Sequence, residues 1–241
     1  MPDIALCYTG VMDPVMRDLL RLLDDRFTTR VIQRCKEIRA SNLEDDWYRD
    51  VFAGLILRTR QIQLILKRTF REGGDIGVLA WAARTLLELK LWACFAATSR
   101  DNAMRFSKDM YIDCFTAHRA ISKGIDALEQ HPFKAEIELM HADTLVSLKP
   151  KMEAAGVTEK DPYLVLRPIA RDTGWTAEYE AAIVTLSKYV HATALSVMRP
   201  VYKPKGLESA EDVFLMGAQN ALYILDHISK HLKQVGLPDF E

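Results

Sequence analysis

This 241-residue chain has little glycine or proline, with 11 and 9 residues respectively, which excludes a collagen-like repeat and a low-complexity disordered tract. It has only four cysteines, Cys7, Cys35, Cys94 and Cys114, too few for a disulfide scaffold. None pairs at C-x-x-C spacing, and three of the four sit in apolar, helical surroundings, so they are read as reduced core thiols of a cytoplasmic protein. Charge of one sign is not in excess: 32 basic against 33 acidic residues leave a net charge of −1, no global reason for nucleic acid or acidic lipid as partner. The start, MPDIALCYTGVMDP, lacks the basic and apolar regions of a secretory signal. One apolar run is long enough to span a bilayer, Gly77 to Ala97, but it carries Arg84, Glu88 and Lys90 near its middle. Each charge costs roughly 2.5–3.5 kcal/mol on insertion, against roughly 0.3–0.6 gained per large apolar residue. The segment is therefore read as a core helix. G-x-S-x-G, Walker A and G-x-G-x-x-G motifs are all missing.

What is present is helical spacing nearly everywhere, with no run alternating at the period of a strand. Asp13-Pro14 starts a first helix, and Val15, Leu19, Leu22, Leu23 and Phe27 form a stripe that continues through Val31 and Cys35 to about Ala40. Ser41 and Glu44 form a weak capping box for a second helix, about Leu43 to Glu72, stopped at Gly73-Gly74. A third, about Asp75 to Ser99, is apolar on most faces and is expected at the centre of its bundle. Further helices are expected over about Asn102 to Gln130 and Phe133 to Ala155, the latter kinked or ended early by Pro150 and stopped by Gly156. A short one near Tyr163–Ile169, one from Thr176 to Met198 ended by Pro200, and one from Ser209 to Val235 with capping-box-like Ser209 and Asp212 complete the chain. The expected fold is a single-domain, all-α bundle of about seven helices over residues 1–241.

Two polar spots interrupt this apolar pattern. Arg84 and Glu88 are four apart on the third helix and can pair. Among Trp81, Leu86, Leu87, Leu91 and Trp92 the pair is read as partly buried, and burial without partners is costly. A fully buried pair sets an expected loss of roughly 3–5 kcal/mol for Arg84→Ala. The second spot is the segment LSKYVHAT, in which Ser187 and His191 share one helical face and Tyr189 and Thr193 another. Buried polar groups need partners, so the two spots are expected to align. An imidazole nitrogen of His191 should then lie within direct or one-water reach of Glu88 or Arg84, with His191 away from the outer surface.

The R-T-L-L-E block, followed about a hundred residues later by Trp175, Tyr179 and L-S-K-Y-V-H-A-T, resembles an uncharacterised family of bacterial all-helical proteins, a domain of unknown function with R-x-x-x-E and S-x-x-x-H-x-[ST] motifs. The matching residues are Arg84, Glu88, Ser187, His191 and Thr193, and the likeness covers about Leu55 to Met198. It implies that the two helices face each other and carries no established activity. The pattern is also loosely similar to the HEPN superfamily of helical ribonucleases and toxins, which place an arginine, four to six positions and a histidine on one helix. Here Val184, Thr185 and Leu186 occupy the arginine's place before His191, so the likeness extends to the bundle and not to that catalytic motif.

Metal signals are weak. Glu138 and His141 form a single E-x-x-H, where di-iron bundles need two, and His227 with His231 are flanked by Lys230 and Lys233 as on a solvated face. No metal site and no cofactor are expected. A basic run, Arg58, Arg60, Lys67, Arg68 and Arg71, contains no acid, and Arg26 to Arg71 holds 11 cations against five acids (Glu37, Glu44, Asp45, Asp46, Asp50). The leading functional reading is a cytoplasmic bundle, without membrane contact, that binds a small polar or anionic ligand between the Arg84/Glu88 and Ser187/His191 helices. The alternative is an RNA-associated helical protein of bacterial defence with the basic second helix as its footprint. A hydrolase using Glu88 and His191 as an acid–base pair stands third, and a second copy of the chain is left open as a partner.

Overall fold

The computed structural model describes residues 46–126, 132–158, 160–191 and 209–235, together with 29, 31–33, 35, 36 and 38. Among the described residues there is no strand, and seven helices have both ends described: α1 Asp46–Arg71, α2 Ile76–Thr98, α3 Arg100–Asp126, α4 Lys134–Ala154, α5 Leu166–Asp172, α6 Thr176–Val190 and α7 Ala210–Gln234. The all-α class expected from periodicity is the class observed. The chain forms two compact units, one of Met1–Ala97 with Leu166–Glu241, the other of Thr98–Val165. Cys7, Asp13-Pro14, Ser41, Glu44, Thr193, Pro200 and the Lys203–Gly206 loop lie outside the described residues.

In the first unit, Val31, Cys35 and Ile38 are helical and buried, continuing the predicted stripe at i, i+4, i+7. α1 and α7 run antiparallel. The Tyr48 hydroxyl lies 2.6 Å from His231 Nε2, Phe52 sits against the same ring, and Phe70 stacks on Phe214 at 4.2 Å between centroids. Phe52 and Phe214 are fully buried, each worth about 1.5–3 kcal/mol relative to exposure. Gly217 lets these helices close up: a Cβ there would stand 2.7 Å from Leu66 Cδ2 and 3.2 Å from Ala83 Cα. That absent side chain brings α7 against both α1 and α2.

The sequence of α2 dictates its burial. Alanines 80, 82, 83, 93 and 96 and leucines 86, 87 and 91 are fully buried around the helix rather than along one stripe. Its start is set by the Asp75 carboxylate, which accepts the Gly77 and Val78 N–H groups. The turn before it uses Gly73 at φ +61, a backbone state open to glycine. α7 begins with the capping box anticipated at Ser209 and Asp212: the serine Oγ accepts the Asp212 N–H at 3.1 Å and the aspartate accepts the Ser209 N–H at 2.9 Å. No helix among the described residues is long and apolar enough to cross a membrane.

In the second unit, α3 and α4 pair through Phe115, Leu148, Met152 and Val157, with Tyr111, Ile112 and Leu145 around them. Pro150 does not end α4 early; the helix continues to Ala154. Pro150 is exposed, as is Val146, the residue whose carbonyl loses the i→i−4 bond, so the lost bond falls on an exposed stretch of α4. Gly156, at φ +64, provides the expected stop. The following strap is held by Asp109 of α3, whose Oδ1 accepts the Leu164 N–H at 2.8 Å. Burial pushes the Asp109 carboxyl up, against the lowering effect of that hydrogen bond.

Cys114 is exposed, whereas Cys35 and Cys94 are buried thiols as read from the sequence; helical spacing turns Cys114 about 100° away from the adjacent buried Phe115. The sixth helix ends at Val190 rather than Met198. His191 has extended backbone, φ −92 and ψ 154, although its N–H still bonds the Ser187 carbonyl.

Candidate functional site

The two polar spots meet on Arg84. Its Nε donates to Glu88 Oε1 at 3.0 Å within α2, and its Nη1 donates to Ser187 Oγ of α6 at 3.2 Å. The same Nη1 lies 3.4 Å from His191 Nε2. Ser187 in turn donates to the Ile183 carbonyl. His191 is thus within direct reach of Arg84, as expected. The expectation that His191 lies away from the outer surface is corrected: it is exposed, at the position where the chain leaves the helix. The cluster is an open edge of the first unit and not a sealed interior site: the Arg84 and Glu88 side chains are 28% and 27% exposed. Tyr179, on α6, has its phenol raised by burial and then by the Glu88 carboxylate. Thr193 lies outside the described residues.

A second cluster on the same two helices was missed by sequence reasoning. Lys90 is buried and its Nζ donates to both Glu178 carboxylate oxygens at 3.0 Å. The ammonium sits 3.3 Å from the Trp175 ring centroid and 4.8 Å from that of Tyr223. Glu178 occupies the first turn of α6, where the helix dipole favours an anion. Cys94, one turn after Lys90, lies 3.9 Å from the Tyr223 hydroxyl. Burial raises the Cys94 thiol, and it raises the Tyr223 phenol to about 12, so both are neutral near neutrality. The available signal was Lys90 itself, a cation in the apolar run LELKLWAC that had to find a partner.

The two histidines of α7 do not face solvent as their lysine neighbours implied. His231 is buried against Tyr48 and Phe52, and His227 stacks on Tyr223 at 5.5 Å. Burial lowers both imidazoles; the neighbouring His227 lowers His231 further. Below the unfolded value of about 6.5 the unfolded chain takes up protons that the folded chain refuses. These two groups therefore withdraw stability as pH falls through 6.5, and do not affect its pH dependence well above it. We expect the melting temperature to fall with acidification through this range. His231→Gln, which keeps an acceptor for Tyr48, should flatten that dependence; an unchanged slope would show that His231 does not contribute.

The basic run is not one solvated face. Arg58 is exposed and bonds Gln61 at 3.2 Å, Arg60 is half-buried, Lys67 is 5% exposed, and Arg68 pairs with Glu72 at 2.9 Å. Helical spacing explains the split, since Arg60, Lys67 and Arg71 share one side of α1 and Arg58 stands on another. Lys67, Arg68 and Arg71, with Leu64 and Glu72, line a cleft of about 340 Å³. Among the described residues no group of three or more His, Cys, Asp or Glu is arranged around a metal ion. Comparison of the chain with protein-family models, with curated proteins and with solved structures yields no match.

Proposed function

We propose that this helical protein binds a small polar or anionic ligand at the open Arg84 edge. The observation that carries the reading is the convergence of Ser187 and His191, 103 and 107 residues away in sequence, on one guanidinium nitrogen. The 3.4 Å link to His191 is the longest in the cluster and lies at its exposed end. A carboxylate or phosphate oxygen inserted there would receive a charge-assisted bond from Arg84, stronger than the contact replaced, and a ring N–H of His191 can donate to it as well. Glu88 holds the guanidinium in place from the other side.

The test is a thermal-shift series with inorganic phosphate and simple mono- and dicarboxylates on the full chain. A ligand at 100 times its Kd should stabilise the fold by about 2.7 kcal/mol. His191→Ala, at an exposed position, should leave the ligand-free melting point nearly unchanged and abolish the shift. No shift with any probe, or an equal shift in His191→Ala, would remove the reading. A second reading, contact with RNA phosphates, draws on the cleft lined by Lys67, Arg68 and Arg71. It requires retention of RNA that weakens steeply with salt and is lost when Arg68 and Arg71 are reversed in charge.

A further inference from the structure

In the second unit, His118 of α3 and His141 of α4 bring like atoms together: the two Nδ1 nitrogens are 2.9 Å apart, with the rings inclined at 61°. Two nitrogens at that distance cannot both carry a proton pointing inward. They share one Lewis acid between them, either a proton or a metal ion. A metal about 2.05 Å from each nitrogen would subtend about 90° between them. That is close to the angle between neighbouring ligands in a square-planar or octahedral centre.

We propose that His118 and His141 form a two-imidazole site for a divalent transition metal of tetragonal geometry, Cu(II) foremost and Ni(II) next. The metal takes the place of the proton between the two Nδ1 atoms, and the ring that carried it there holds it on Nε2 instead. The helices that present the two rings are already fixed by the Phe115, Leu148 and Met152 contacts, so the ligands are brought together before the ion arrives. His118 is half-buried and His141 is 9% exposed, leaving the His118 side for entry. Exposed Cys114 precedes His118 by one turn, and exposed Glu138 precedes His141 by nearly one turn. No third protein ligand is in place among the described residues, so water completes the coordination.

The experiment titrates the full chain with Cu(II) in a non-coordinating buffer, followed by calorimetry and electron paramagnetic resonance. One equivalent should bind with a two-nitrogen signature. His118→Ala and His141→Ala should each weaken binding by at least about tenfold, since loss of a direct ligand exceeds the loss of an outer partner. His118→Gln, which keeps an acceptor facing His141, should show the same loss while circular dichroism confirms an intact fold. No Cu(II) bound, or binding of unchanged affinity in His118→Gln and His141→Ala, would overturn the proposal.

Discussion

Glu178→Ala is expected to lower the unfolding free energy by about 3 kcal/mol, while Lys90→Met stays within about 1 kcal/mol of the parent. The asymmetry follows from burial. The Lys90 side chain is 4% exposed and that of Glu178 is 39% exposed. Removing the acid leaves an ammonium in the interior against the Trp175 and Tyr223 faces, about 2 kcal/mol of attraction in a dry setting. Hence the loss sits at the lower end of the 3–5 kcal/mol range for a broken buried pair. Removing the base leaves a carboxylate that water can reach, and methionine refills the slot between the two rings with a favourable sulfur contact. Urea melts of the two variants decide the point. A Lys90→Met loss as large as that of Glu178→Ala would mean that packing, not charge balance, governs the cluster.

Arg84→Ala should destabilise by about 1–2 kcal/mol. Exposed pairs give about 0–1 kcal/mol and fully buried ones about 3–5. Arg84 and Glu88, at 28% and 27% exposure, stand between. The larger loss expected of a fully buried pair is thus corrected downward, because the stranded Glu88 regains part of its hydration. Ser187 keeps the Ile183 carbonyl as acceptor, and His191 is already at the surface, so neither is left buried and unpaired. Denaturant melts read the value directly. A loss above about 4 kcal/mol would show the edge to be closed, and one below about 0.5 kcal/mol would show Arg84 to be an ordinary surface residue.

Most of the element map was legible in the sequence because helices announce themselves locally. The spacing of Val31, Cys35 and Ile38, the Gly73 turn, the Ser209/Asp212 box and the Gly156 stop each depend on residues a few positions apart. The alignment of Arg84 with Ser187 and His191 was also legible, since two isolated polar spots in an apolar bundle lower their free energy by meeting. The Lys90 cluster was not, although Lys90, Glu178 and Trp175 were all in view. Nothing local distinguishes a lysine that snorkels to water from one that ends on an aromatic ring.

By itself, then, the sequence determined an all-α chain, its helix limits to within a few residues at most ends, and the chemical identity of the groups needing partners. Those properties are encoded by short-range periodicity and capping. Only the tertiary structure decided depth and partnership: that the Arg84 edge is open, that Lys67 and His231 are buried, that Cys114 is exposed, and that His118 meets His141. Burial and contact depend on which helix lies opposite each residue. That choice is made by packing across separations such as the 103 residues between Arg84 and Ser187, beyond the reach of any local pattern.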